Sequence, residues 1–290
     1  MHTAWQSSGM SDDLLPERVD NLPAFVTFGE RLDYMDYMEE TALPKDPSGL
    51  IGVDDATLTN VWIEFRRVPH FLIAGQPQSG KTNALRSLII SLALHYSPEK
   101  VAMVFVDRLG YLPYYGGLRS LRQLPHVIDA VSTPEEMKQT MRHLHYEYEE
   151  MPLEAGSNPR ELFVFIDNYD DFEELEVRPA DLGEFTRYMP DRPRIHFIVA
   201  GSDIKLRSQD DFTRRISRNG LAMENKTAQA QPFNSSLKKN LRDAELPLGR
   251  GFVIRSGQAS MLQIVSLGGA SEPLDKALDR YIFLVKKHFD

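Results

Sequence analysis

The stretch His70 to Ile89, HFLIAGQPQSGKTNALRSLI, decides the fold. Its first five residues form a short apolar run, the pattern of a strand buried on both faces of a parallel sheet. From Asn83 onward Leu85, Leu88, Ile89 and Leu92 recur on one helical face, and Ser97-Pro98 ends the pattern. Between strand and helix lies Gly75-Gln76-Pro77-Gln78-Ser79-Gly80-Lys81-Thr82, which satisfies GxxxxGK[ST]. Glycines let such a loop curl until several backbone N–H groups face one anion, and the following helix turns its positive end to the same point. The pattern predicts a phosphate cradle spanning Gly75 to Thr82 and reaching Asn83. Lys81 is expected at the β- and γ-phosphates of ATP, and the Thr82 hydroxyl on Mg2+.

Outward from this loop, apolar runs end in acidic or small residues. Val101 to Val106 ends at Asp107, Glu161 to Ile166 at Asp167, and Ile195 to Ala200 at Gly201-Ser202-Asp203. Between them, Thr133-Pro134-Glu135-Glu136 reads as a capping box. It opens a helix with Met137, Met141, Leu144, Tyr148 and Met151 on one stripe. Val61 to Phe65 reads as a strand, Leu182 to Tyr188 and Asp211 to Arg218 as helices, Phe252 to Arg255 and Leu262 to Ser266 as strands, and Leu274 onward as a last helix. Strands alternating with helices predict an α/β fold with a mostly parallel sheet flanked by helices, and added strands at the C-terminal end. Residues 1–49 read as a lead-in that packs on a domain spanning 50–290.

A phosphate-binding loop needs a carboxylate on a neighbouring strand to complete the magnesium shell, and Asp167 is the candidate. A glutamate commonly follows such an aspartate and polarises the attacking water. Here the next residue is Asn168, and an amide is a poor base, so binding is expected more than hydrolysis. A glutamate restored at 168 is expected to raise turnover if a missing base is the defect. Asp170 and Asp171 read as caps of the next helix. Asp107 and Ser202-Asp203 read as strand-end turns or groups near the nucleotide. Arg214, Arg215 and Arg218 read as a solvated face or as the source of an arginine finger for a neighbour. Tyr111, Tyr114 and Tyr115 read as packing residues.

Composition limits the classes further. The 290 residues carry 33 Lys and Arg against 42 Asp and Glu, a formal net charge of -9, which weighs against DNA as a partner. There is no cysteine, so disulfides and thiolate metal sites are excluded and a cytosolic setting is expected. No apolar run approaches the roughly 18 residues of a membrane helix.

With these residues in place, the chain resembles the FtsK/SpoIIIE superfamily, and within it the ATPase modules of the type VII secretion motor (EccC/EssC). The resemblance runs from about Gly52 to Ser266. It rests on GQPQSGKT, LPHV, FVFIDNYDDF, RIHFIVAGS and LPLGRG in that order. It implies a RecA-like P-loop fold, nucleotide on Gly75 to Thr82, and magnesium on Asp167. The implied role is an ATP-binding, weakly or non-hydrolysing downstream module of a motor exporting WXG100-type proteins. The partners the resemblance implies are neighbouring ATPase modules of the same or another chain, assembled in a hexameric ring, and the export signal of a WXG100-type substrate. The implied place is the cytoplasmic part of a membrane-associated complex. Two alternatives stay open: a DNA-translocating motor, and an interaction module with structural nucleotide.

Overall fold

The computed structural model describes residues 22–37, 46–108, 114–115, 119–146, 160–176, 178–186, 195–202, 206, 211–223, 231–233, 246–269 and 272–289. In chain order the strands are β1 (Val26–Thr27), β2 (Ser48–Asp54), β3 (Asn60–Glu64), β4 (Phe71–Ala74), β5 (Val101–Val106), β6 (Tyr114–Tyr115), β7 (Arg119–Ser120), β8 (Val127–Val131), β9 (Glu161–Ile166), β10 (Ile195–Gly201), β11 (Asn219–Met223), β12 (Arg250–Arg255) and β13 (Gln258–Ser266). The helices are α1 (Phe28–Tyr37), α2 (Lys81–His95), α3 (Pro134–His145), α4 (Asp211–Ile216) and α5 (Leu274–Phe289). Among the described residues no helix is long and apolar enough to cross a membrane.

One sheet of eleven strands runs through the molecule in the order β3-β2-β13-β12-β11-β4-β10-β9-β5-β8, with β1 joined to β13. The six strands from β11 to β8 are mutually parallel, whereas β12, β13, β2 and β3 extend the sheet in antiparallel fashion. The strand alternation sorts the apolar residues into two layers. Phe71 and Ile73 of β4, with Phe163 and Phe165 of β9, face a core shared with α2 and α5. Leu72, Ala74, Leu162, Val164 and Ile166 face the other core, against α3, α4 and short 3-10 segments. Cover on both faces explains why these strands read as unbroken apolar runs.

The helix after the loop departs from the expected one-sided pattern. Every residue of α2 from Ala84 to Ala93 is buried, including Arg86, Ser87 and Ser91. The added strands and α5 enclose its second side, and its polar residues are used there. Ser91 Oγ accepts from the Leu50 backbone N–H at 2.8 Å, and Ser87 Oγ donates to the Val265 carbonyl at 3.0 Å. The capping box of α3 is formed by Thr133 and Glu136, and Met137 and Leu144 of the expected stripe are buried. Tyr148 and Met151 lie outside the described residues. So do Tyr111 and Asp203, and the side chains of Tyr114 and Tyr115. The segment read as a helix from Leu182 forms two 3-10 pieces instead, Pro179–Leu182 and Glu184–Thr186. The strands β8 and β11 have no counterpart in the expected element list. In the lead-in region, Leu22, Val26 and Phe28 are buried, and Phe28 meets Tyr281 of α5 edge-on at 5.5 Å.

Buried histidines close the amino-terminal edge of the sheet. His196 lies 2.9 Å from the Pro69 carbonyl and 3.1 Å from Glu161 Oε2, stacked on Phe163. His70 Nε2 lies 3.2 Å from the Thr186 carbonyl, while the Phe197 N–H donates to its Nδ1 at 3.3 Å. Burial, and secondarily the field of His196, pushes the His70 pKa down to about 3. The folded protein therefore binds this proton less readily than the unfolded chain. Its contribution to stability is complete above pH 6.5 and is lost as pH falls from there toward 3. We expect the unfolding free energy to decline across that window by up to about 1.4 kcal/mol per pH unit from this group. In urea titrations His70→Gln should flatten that decline, and an unchanged slope would show that another group governs it.

Candidate nucleotide site at the end of β4

The loop Gly75 to Gly80 leaves the carboxyl end of β4 and enters α2 at Lys81. Two of its residues take left-handed backbone, Gln78 at φ 66° and Gly80 at φ 99°, and these turn the chain back over the helix axis. Gly80 is the N-cap of α2 and brings no side-chain hydrogen bond. The first turn holds no acidic residue, so the helix end is left to an outside acceptor. A Cβ at Gly75 would lie 2.4 Å from Ser79 Oγ and 2.7 Å from Met223 Cβ, so only glycine lets the loop close this tightly.

Three side chains meet at the mouth. Thr82 Oγ1 donates to Asp167 Oδ2 at 2.8 Å, which joins α2 to the end of β9 two strands away. The Asn168 N–H donates to Asp167 Oδ1 at 3.0 Å. Lys81 Nζ donates to the carbonyls of Gly75 at 3.0 Å and Gln76 at 2.9 Å. Asp167 is 6% exposed, and burial raises its pKa despite the Thr82 hydrogen bond and the charges of Arg86 and Lys81. A carboxylate so desolvated, with a threonine hydroxyl at its side, suits a hard divalent cation, which favours oxygen ligands and offsets buried negative charge. Ser79 Oγ is buried without a hydrogen-bond partner beside the cradle. These features fit a phosphate chain and its magnesium.

Asn83 is turned elsewhere, and its amide donates to the Val265 carbonyl of β13 at 3.4 Å. Arg86, one helical turn beyond Thr82, belongs to no motif of the sequence. Its spacing of four residues from Thr82 was the available signal, because that spacing shares a helix face. The Leu246 to Arg250 loop carries the LPLGR part of the family resemblance. It lines a cavity of about 300 Å³ with Gln78 and Ser79. Arg250 anchors the loop by donating to the carbonyls of Leu22 at 2.9 Å and Pro23 at 2.8 Å.

Around Asn168 the geometry changes the expectation. Asn168 has φ 59°, its side-chain amide donates to Asp171, and its carbonyl accepts from the Asp171 N–H at 2.9 Å. It therefore caps the 3-10 segment Tyr169–Leu175 from a left-handed position that asparagine tolerates better than most residues. Asp170 does not cap that segment with its carboxylate. It accepts from both the backbone N–H and the hydroxyl of Ser202, tying β9 to the end of β10. Glutamate at 168 would be strained and would face Asp171 with like charge. We expect Asn168→Glu to lose about 1 to 2 kcal/mol of stability in urea titrations and to leave ATP turnover at the parent level. Raised turnover would show that the backbone at 168 does not block the role of base.

The remaining strand-end residue, Asp107, is 1% exposed at the end of β5. Arg214, Arg215 and Arg218 lie on or just after α4, which leads into the first residue of β11, so they sit at the opposite edge of the sheet from this loop.

Known proteins resemble the chain in sequence and in fold. The model described as "FtsK/SpoIIIE family" matches residues 43–152. The "ESX secretion system protein EccC" of Thermomonospora curvata is 24% identical over 227 residues, 71% of this chain and 16% of that protein. The "DNA translocase FtsK" of Leptospira interrogans is 36% identical over 107 residues, 37% of this chain and 10% of that protein. The chain thus spans a small fraction of either relative's length. Among solved structures, the cytoplasmic domain of the Thermomonospora curvata type VII secretion ATPase EccC aligns with TM-score 0.63 at 21% identity, over 84% of this chain and 28% of that one. ATPases 2 and 3 of the same protein, in complex with a signal sequence peptide, align with TM-score 0.59 at 19% identity, over 84% and 44% of the two chains. Residues 43–152 thus match the FtsK/SpoIIIE family, the fold is that of P-loop ATPase domains, and the chain is similar to the type VII secretion ATPase EccC.

Proposed function

We propose that this chain is an ATP-binding module of a secretion ATPase, in which nucleotide occupancy sets contacts with neighbouring modules and hydrolysis is slow or absent. The observation that carries this reading is the Thr82–Asp167 hydrogen bond at the open N-terminus of α2, beside Lys81. Lys81 would exchange two loop carbonyls for phosphate oxygens, and the loop N–H groups would hold the remaining charge. Thr82 and Asp167 would ligate magnesium, which neutralises the phosphate chain when bound. The cavity under Leu246 to Arg250 would receive the nucleoside end. Turnover is disfavoured because the Asn168 amide is committed to Asp171 and the Asp170 carboxylate to Ser202, so neither is free to take a proton from water.

Similarity to EccC supports export of WXG100-type proteins as the process served, with adjoining modules, in a ring or along one chain, and a substrate signal as partners. The Leptospira relative keeps a second reading in view, a DNA-translocating motor. The net charge of -9 favours the first, and duplex binding that weakens steeply with salt would favour the second.

ATP titration by calorimetry tests the site. Lys81→Ala should weaken ATP about 10- to 100-fold, the loss of a charge-assisted hydrogen bond worth about 1.5 to 3 kcal/mol. Unchanged affinity would dismiss the assignment. Asp167 gives a separate readout. Its folded pKa lies above its unfolded value, so the protonated form stabilises the fold, and that contribution is lost as pH rises through the folded pKa. At pH 7 without ligand, Asp167→Asn should therefore melt above the parent, while losing the magnesium-dependent rise in melting temperature that ATP gives the parent. A variant that keeps that rise would remove Asp167 from the metal shell.

A further inference from the structure

A second cavity opens at the other end of the strands that hold the loop. β4 and β11 run parallel; they end at Gly75 and against it, respectively, since a Cβ at Gly75 would meet Met223 of β11. Where these strands begin lies an open cavity of about 490 Å³. Its described lining carries four guanidinium groups, those of Arg67, Arg214, Arg215 and Arg218, and no carboxylate. This concentration of positive charge occurs in a chain of net charge -9.

Two of the four arginines are partly neutralised from outside the lining. Arg67 pairs with Glu64 at 3.2 Å, and Arg214 pairs with Asp211. Among the described residues Arg215 and Arg218 have no ion-pair partner. The cavity therefore keeps an excess of about two positive charges after both pairs are counted. Its wall also offers neutral donors. Asn219 Oδ1 accepts from the Ser256 N–H at 3.3 Å, so the amide nitrogen is the end left to donate. His70, 5% exposed at this site, has both ring nitrogens engaged with the backbone and brings no competing charge.

Guanidinium forks bind oxyanions in bidentate fashion, and several converging on one volume suit a ligand with at least two negative charges. The volume matches a small molecule rather than a duplex. We infer that this cavity is a second anion site, remote from the P-loop, which takes a small phosphorylated molecule bearing a pyrophosphate or two phosphate groups.

Pyrophosphate is the probe, titrated by calorimetry in EDTA against the full chain carrying Lys81→Ala, so that the P-loop ammonium is absent. One binding event is expected, and adding Arg215→Ala and Arg218→Ala should weaken it at least about tenfold. Arg215→Lys with Arg218→Lys keeps the charge and loses the forks, and should give an intermediate affinity. This pair serves as the control if the alanine variant fails to fold. No binding to the Lys81→Ala chain, or an affinity indifferent to both arginine pairs, would overturn the site. A single-stranded oligonucleotide that binds more tightly than pyrophosphate and displaces it would overturn the small-molecule assignment. In the chain with Lys81 intact, the arginine substitutions should leave the magnesium-dependent rise in melting temperature with ATP unchanged, because that rise reads Thr82 and Asp167 alone, which separates failure here from failure of the nucleotide site.

Discussion

A buried carboxylate governs this molecule. Asp167 ends the apolar strand β9 in a place almost without solvent, where a negative charge is costly unless something compensates it. The compensation comes from elsewhere in the chain: the Thr82 hydroxyl from the first turn of α2, the N–H of Asn168, and the charges of Arg86 and Lys81. Holding Thr82 within 2.8 Å of that carboxylate requires the loop before it to turn sharply. The sharp turn in turn requires left-handed backbone at Gln78 and Gly80 and a bare Cα at Gly75. The strand, the loop and the helix end are thus parts of one solution to a single electrostatic problem.

The extended sheet gives that solution its rigidity. The antiparallel strands β12, β13, β2 and β3 widen the sheet beyond β11 and wrap the side of α2 that would otherwise meet water. The Val265 carbonyl of β13 accepts from Asn83 and Ser87, so the helix that presents Thr82 is fastened along its length. The same widening brings the Leu246 to Arg250 loop to the cradle, held by Arg250 on the backbone of Leu22 and Pro23. The candidate site assembled this way draws on residues more than two hundred positions apart.

Opposite charge environments mark the two ends of β4. The carboxyl end lies beside a buried acid and backbone N–H groups, while the amino end combines arginines with the neutral, buried His70. The Asn168 and Asp170 contacts add a further asymmetry. The Asn168 amide and the Asp170 carboxylate, just beyond β9, are used to cap and to cross-link.

Much of this was legible in the residues alone. The apolar run before Gly75, the GxxxxGK[ST] spacing and the capping box at Thr133 carry their own local geometry, because each depends on neighbours a few positions away. The same is true of Asp167 after its strand. Other features were not legible. Strands β8 and β11 are short and mixed, and pairing with long parallel neighbours decides them. Nothing in the spacing around Asn83 says that its amide faces Val265 rather than the loop, and nothing around Asn168 says that its backbone is left-handed. Residue spacing alone places the candidate anion cradle, since backbone freedom and helix polarity are local. Which side chains stand around it, and in what electrostatic setting, follows from the packed chain, because burial and distant partners set desolvation, and desolvation sets the electrostatics.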